Sequence, residues 1–126
     1  MTIDQDYMQV VDERIDIIWA PMTADVIIPT HAEPGAAGMD IRAYIPEGTL
    51  VQFWSNVTKV ESTLKVGSRE EGLVIPPQCR LIIPTGLRCV VRAGLELQVR
   101  PRSSFIKTTL RLVNTPGTID ASYRGK

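Results

Sequence analysis

Nine prolines and nine glycines in 126 residues cut this chain into segments too short for long helices. Each proline removes a backbone donor, and each glycine weakens the interior of an element. Between these breaks the legible pattern has a period of two. After Gly72, Leu73-Val74-Ile75 runs into Pro76-Pro77, and Arg80-Leu81-Ile82-Ile83 runs into Pro84-Thr85-Gly86. In the next segment Leu87, Cys89 and Val91 can share one face. In Leu95-Glu96-Leu97-Gln98-Val99-Arg100 the alternation is strict, which turns Leu95, Leu97 and Val99 inward and Glu96, Gln98 and Arg100 outward. Short strands divided by turn residues predict an all-β sandwich, barrel or jelly roll. Upstream, 15–19 and 25–28 read as strands, the second closed by Pro29, and 7–13 reads as a short helical turn or a flexible arm. The stretch 44–71 contains Trp54 and the charged Ser68-Arg69-Glu70-Glu71, and is expected to be a hairpin or a long surface excursion. There is no internal repeat and no low-complexity tract.

The length suits one domain over 1–126. Lys plus Arg equals Asp plus Glu at 14 each, so no net charge draws the chain to nucleic acid, although a local basic pocket is compatible with that balance. Met1-Thr2-Ile3-Asp4-Gln5-Asp6 lacks the basic start and apolar run of a signal peptide. No apolar stretch approaches the roughly 18 residues of a membrane span. Cys79 and Cys89 sit in apolar strand-like segments without metal-site spacing and read as buried free thiols. The expected class is a soluble cytoplasmic protein. His31, the one histidine, lies in a loop-like setting and reads as a bystander. No Ser-His-Asp set, P-loop or zinc pattern is present.

Three segments carry more than a plain β domain needs. In Pro34-Gly35-Ala36-Ala37-Gly38-Met39-Asp40-Ile41-Arg42-Ala43, small residues allow a close backbone approach and Asp40 precedes a strand-like Ile41-Arg42-Ala43. The same residues also suit a glycine-rich turn with Asp40 as a local cap. In Arg100-Pro101-Arg102-Ser103-Ser104-Phe105, Arg102 can fork two hydrogen bonds onto phosphate oxygens and the serine hydroxyls can add more. Equally, this could be a solvated strand end with a serine N-cap opening a short helix. In 114–125, Thr115-Pro116-Gly117 sets a tight turn, with Gly117 supplying either a close approach or a positive φ. Ile119 and Asp120 face opposite ways along a strand, so a bend is needed to bring Asp120 and Tyr123 together. An aspartate beside a tyrosine suits a small ring substrate, and a plain exposed hairpin would carry the same turn residues.

Taken in order, these three segments resemble the trimeric-type dUTP diphosphatase (dUTPase) family over roughly 28–43 and 73–125. The third motif, Asn114-Thr115-Pro116-Gly117-Thr118-Ile119-Asp120-Ala121-Ser122-Tyr123-Arg124-Gly125, is the most specific. The resemblance implies a distorted jelly roll of the β-clip kind, a homotrimer, and Mg²⁺-dependent hydrolysis of dUTP to dUMP and pyrophosphate. It implies that Asp120 orients the attacking water, and that Tyr123 packs under the sugar and excludes a 2′-hydroxyl. It implies that Asn114, Gly117 and Ile119 hold uracil, that Arg102, Ser103 and Ser104 bind phosphates, and that Asp40 meets Mg²⁺ through water.

Against the family pattern, 44–71 reads as an insertion. The family's later strands, its fourth motif with a phosphate-contacting glutamine and its glycine-rich arm are expected to be missing from this chain, and Lys126 stands where glutamate is usual. Two other readings are a non-catalytic dUTPase-like binding protein and a dCTP deaminase relative. The deaminase shares an Arg-Ser-Ser segment but usually has Pro-Gly after its aspartate, where this chain has Ala121-Ser122.

Overall fold

The computed structural model describes residues 3–4, 9–10 and 14–126. Among them are β1 (Ile3–Asp4), β2 (Gln9–Val10), β3 (Ile17–Pro21), β4 (Leu50–Ser55), β5 (Glu61–Lys65), β6 (Cys79–Ile82), β7 (Leu87–Val91), β8 (Glu96–Val99) and β9 (Gly117–Asp120). A single 3-10 helix, Ser103–Lys107, is the only helix among the described residues. The chain is therefore all-β, consistent with a distorted jelly roll of the β-clip kind. β1 and β2 pair antiparallel. The rest of 7–13, expected as a helical turn or arm, lies outside the described residues. No helix among the described residues is long and apolar enough to cross a membrane.

Two compact units make up the chain: 1–20 with 88–125, and 21–87 with Lys126. In the first, β3 pairs with β7 and β8 pairs with β9. The alternation expected in β7 is present, with Leu87 and Val91 buried, Cys89 half-buried and Arg88 exposed. Just beyond the strands, the Arg92 amide donates to the Asp16 carbonyl at 2.8 Å. The Arg92 guanidinium adds Nη2 and Nε bonds to Asp16 Oδ1 at 2.9 and 3.2 Å. In β8, Leu97 and Val99 are half-buried while Glu96 and Gln98 are exposed; Leu95, expected inward, precedes the strand and is 38% exposed.

In the second unit the sheet order is β5-β4-β6, all antiparallel. Val51 faces Leu64, and Phe53 faces Leu81, so these residues share the covered side. Gln52 with Ile82, and Trp54 with Glu61 and Arg80, take the other. The hairpin expected within 44–71 is thus observed, but it is no detached excursion. β4 is the middle strand, and Val51 and Val66 are only 1% and 3% exposed. The β4–β5 turn is held by the Ser55 hydroxyl, which accepts from the Val57 and Thr58 amides at 3.3 and 3.1 Å.

Three expected strands do not form ladders. Residues 25–28, 41–43 and 73–75 carry no strand hydrogen bonding. Pro29, Pro76, Pro77 and Pro84 lie in or beside the extended segments and have no N–H to give. Single bonds lie next to two of these segments, from the Met22 amide to the Gly86 carbonyl at 2.8 Å and from the Tyr44 amide to the Pro84 carbonyl at 2.7 Å.

Candidate functional site

Eight of the nine expected site residues fall in the first unit, and four of them, Gly117, Ile119, Asp120 and Tyr123, lie on β9 and the turn that follows it. β9 runs antiparallel to β8 with Val99 opposite Gly117, Leu97 opposite Ile119 and Glu96 opposite Asp120. Ile119 therefore shares the half-buried side with Leu97, and Asp120 stands on the exposed side with Glu96. The bend that the period of two demanded is present: the Tyr123 amide donates to the Asp120 carbonyl at 3.0 Å. This four-residue turn carries Asp120 at its first corner and Tyr123 at its last. Tyr123 is 45% exposed, leaving much of its ring open to a ligand.

Gly117 meets the strand by close approach, not by positive φ. A Cβ placed there would lie 3.3 Å from the Asn114 carbonyl oxygen and 3.7 Å from Val99 Cβ. Asn114 is exposed, and the intervening Thr115–Pro116 peptide is cis. The 3-10 helix opens directly after Arg102, which is extended at φ −72 and ψ 152 and occupies the cap position without a side-chain cap bond. A serine N-cap is therefore not what starts the helix. Arg102 stands there instead, and a guanidinium has only donors and cannot accept from an amide. Ser103 and Ser104 lie exposed within the first turn. The far end is closed by Thr108, whose amide and hydroxyl both donate to the Phe105 carbonyl at 2.9 Å.

Asp40 belongs to the second unit, in an exposed loop. That loop is tied by His31 Nδ1 to the Gly38 carbonyl at 3.1 Å and by the Ala36 amide to the Glu33 carbonyl at 3.2 Å. Among the described residues no group of three or more His, Cys, Asp or Glu side chains is arranged to hold a metal. A cavity of about 340 Å³ in this unit is lined by Ile45, Glu47, Val66, Ser68 and Arg69 among others. A smaller one of about 80 Å³ is lined by Asp25, Arg42, Tyr44 and Thr85 among others. Neither contains an expected site residue. The first is a half-open hollow beside the Ser68–Gly72 turn, and nucleotide chemistry has no water-orienting group there beyond a lone Glu47.

Three residues of this region escaped the sequence reading. Glu96 faces Asp120 across the ladder, a placement that the strict alternation of β8 prepared but only strand register could reveal. Its Oε1 accepts from Gln98 Nε2 at 3.0 Å, and Gln98 Oε1 accepts from Arg100 Nη2 at 2.6 Å, so a polar row lines the exposed side. Arg124 Nη1 donates to the Ala121 and Tyr123 carbonyls at 2.6 and 2.9 Å. The phenol of Tyr123 folds back over Gly125, where any Cβ would overlap its hydroxyl and ring. Burial pushes the Cys89 thiol up from its ordinary range, an effect partly offset by the Arg124 charge.

An all-β chain with an aspartate and a tyrosine at the two corners of one turn has the layout of a small-ligand site on a β scaffold. Over most of its length the chain is similar to proteins named deoxyuridine 5′-triphosphate nucleotidohydrolase. Over 113 residues, 88% of its length, it is 41% identical to the deoxyuridine 5′-triphosphate nucleotidohydrolase of Dinoroseobacter shibae and covers 61% of that protein. It is 35% identical over 104 residues to the protein of that name from Caulobacter vibrioides, covering 53% of it. A third, from Treponema denticola, is 33% identical over 110 residues with 60% covered. The chain thus spans between half and two thirds of the length of these relatives. No protein-family model and no solved structure matches it.

Proposed function

We propose that this chain carries the deoxyuridine-recognition and water-orienting parts of a dUTP diphosphatase, acting on the cytoplasmic nucleotide pool and splitting dUTP into dUMP and pyrophosphate. The observation that carries the reading is the turn closed by the Tyr123 amide and the Asp120 carbonyl, together with relatives named for this activity. Asp120 accepts a proton from a water aligned on the α-phosphorus, and also the hydrogen bond of the 3′-hydroxyl. The new P–O bond forms as the bridge to the β-phosphorus breaks, and pyrophosphate leaves. General-base assistance of this kind contributes about 10²- to 10⁴-fold. The Tyr123 ring supports the deoxyribose and leaves no room for a 2′-hydroxyl. Asn114, Gly117 and Ile119 hold uracil along the edge of the hairpin, and Arg102, Ser103 and Ser104 hold phosphate oxygens.

Mg²⁺ fits this reading. A small cation that keeps most of its waters and travels with three phosphates needs one carboxylate rather than a cage, and Asp40 is an exposed carboxylate outside any metal-holding cluster among the described residues. Asp40 would hold the ion through water, and the ion would neutralise charge on the triphosphate. A homotrimer is supported by apolar surface in excess of the core. Among the described residues five hydrophobic side chains are buried, while Ile106, Val74 and Leu50 are 89%, 75% and 64% exposed, an imbalance that assembly relieves.

The test is pyrophosphate release from dUTP, dCTP and UTP with Mg²⁺. Turnover of dUTP alone, lost in Asp120→Asn, supports the proposal. Ammonia release from dCTP would assign a deaminase instead, and an intact trimer without turnover would assign a binding role.

A further inference from the structure

The Asp120–Tyr123 turn is supported by two residues, Arg124 and Gly125, to which the proposed function gives no contact with substrate. A turn closed by one amide–carbonyl bond is a weak constraint in water, since such a bond contributes only about 1 kcal/mol net. Here a second clamp is added: the half-buried guanidinium of Arg124 draws in both the Ala121 and Tyr123 carbonyls from within the turn and from its end. Both bonds leave one terminal nitrogen, Nη1, whose two N–H groups are held in the guanidinium plane, whereas a lysine ammonium carries the charge with donors that turn freely about its last bond. The ring direction is set separately. Tyr123 lies over the bare Cα of Gly125, in space that any Cβ would take. The colliding atoms are the end of a rigid ring, so relief comes from turning the whole ring and not from flexing a tail.

We infer that Arg124 and Gly125 are positioning residues that fix the Tyr123 ring and thereby set the preference for deoxyribose over ribose. This rests on the proposed function and deepens it. Arg124 holds the backbone on which the ring is hung, and Gly125 leaves free the space that the ring end occupies. A displaced ring still offers an aromatic surface to the sugar but no longer fills the space where a 2′-hydroxyl would sit. The expected defect is therefore one of selectivity more than of affinity.

The experiment is calorimetric binding of dUDP and UDP with Mg²⁺, run beside dUTP turnover, on the wild-type protein, Gly125→Ala, Arg124→Met and Arg124→Lys, each checked for native circular dichroism. The wild type is expected to prefer dUDP. Gly125→Ala and Arg124→Met are expected to cut that preference about tenfold, the scale on which small misfits in a pocket discriminate, chiefly by admitting UDP, and Arg124→Lys is expected to recover only part of it. A wild type indifferent to the 2′-hydroxyl defeats the proposed function itself. A selective wild type whose folded variants bind both nucleotides more weakly by the same factor, or keep full selectivity, overturns the positioning role.

Discussion

The Tyr123 amide and the Asp120 carbonyl are joined at 3.0 Å, so the carboxylate and the aromatic ring that the proposed chemistry needs stand at opposite corners of one turn. Along a straight strand these two residues would face opposite sides. The turn follows β9 directly, and β9 is held in register by β8, with Glu96 opposite Asp120. Two carboxylates thus share the exposed side of the ladder. A cross-strand pair of like charge costs stability, and this cost is confined to the edge where the proposed ligand binds.

Gly117 tests the uracil-holding hairpin. An alanine there would press on the Asn114 carbonyl, 3.3 Å from the new Cβ, and the neighbouring backbone would have to yield by a few tenths of an ångström. Gly117→Ala is expected to lower stability by about 1 kcal/mol and to raise KM for dUTP severalfold with a smaller effect on kcat. Steady-state kinetics and a urea titration measure both, and an unchanged KM would remove Gly117 from the base site.

Asp25 tests a pH dependence. The Thr23 hydroxyl, and then that of Tyr44, donate to its carboxylate and hold it below its ordinary value of 3.8, with bonds of 2.6 and 2.8 Å to Oδ1. The unfolded chain then takes up the proton more readily than the folded one. The stabilisation is fully present above the unfolded value and is lost as pH falls through the folded one. Asp25→Asn should therefore unfold at lower urea than the wild type near neutral pH, with the gap closing in acid. A gap that does not vary with pH would contradict this account.

Val51 tests the place of the 44–71 hairpin. Its side chain is 1% exposed on the middle strand of the sheet, whereas Ile82 on the opposite face is 55% exposed. Val51→Ala removes two buried methyl groups and leaves a cavity, at a cost of about 2 kcal/mol. Ile82→Ala should cost less than about 1 kcal/mol. Chemical denaturation of the two variants decides between a hairpin that belongs to the core and a dispensable surface excursion, for which both losses would be small.

Much of this was legible in residue order. The spacing of proline and glycine determined an all-β chain, because neither residue sustains a long helix, and strict alternation in 95–100 determined which side of β8 is wet. The motif at 114–125 carries the resemblance to dUTPases in its residue types alone, since these are needed by one turn and its neighbours. Tertiary structure decided the rest. Segments 25–28, 41–43 and 73–75 have strand-like sequence but form no ladder; beside the first and last, Pro29 and Pro76-Pro77 remove amides that a ladder would share. One strand of the 44–71 hairpin, β4, became the middle of a sheet because β6 supplied its second partner. For the closing motif, sequence named Asp120 and Tyr123 but could not join them. Only the folded turn, with Arg124 binding its carbonyls and Gly125 leaving room for the ring, brings them together, because hydrogen-bond closure and ring packing depend on where the chain returns in space.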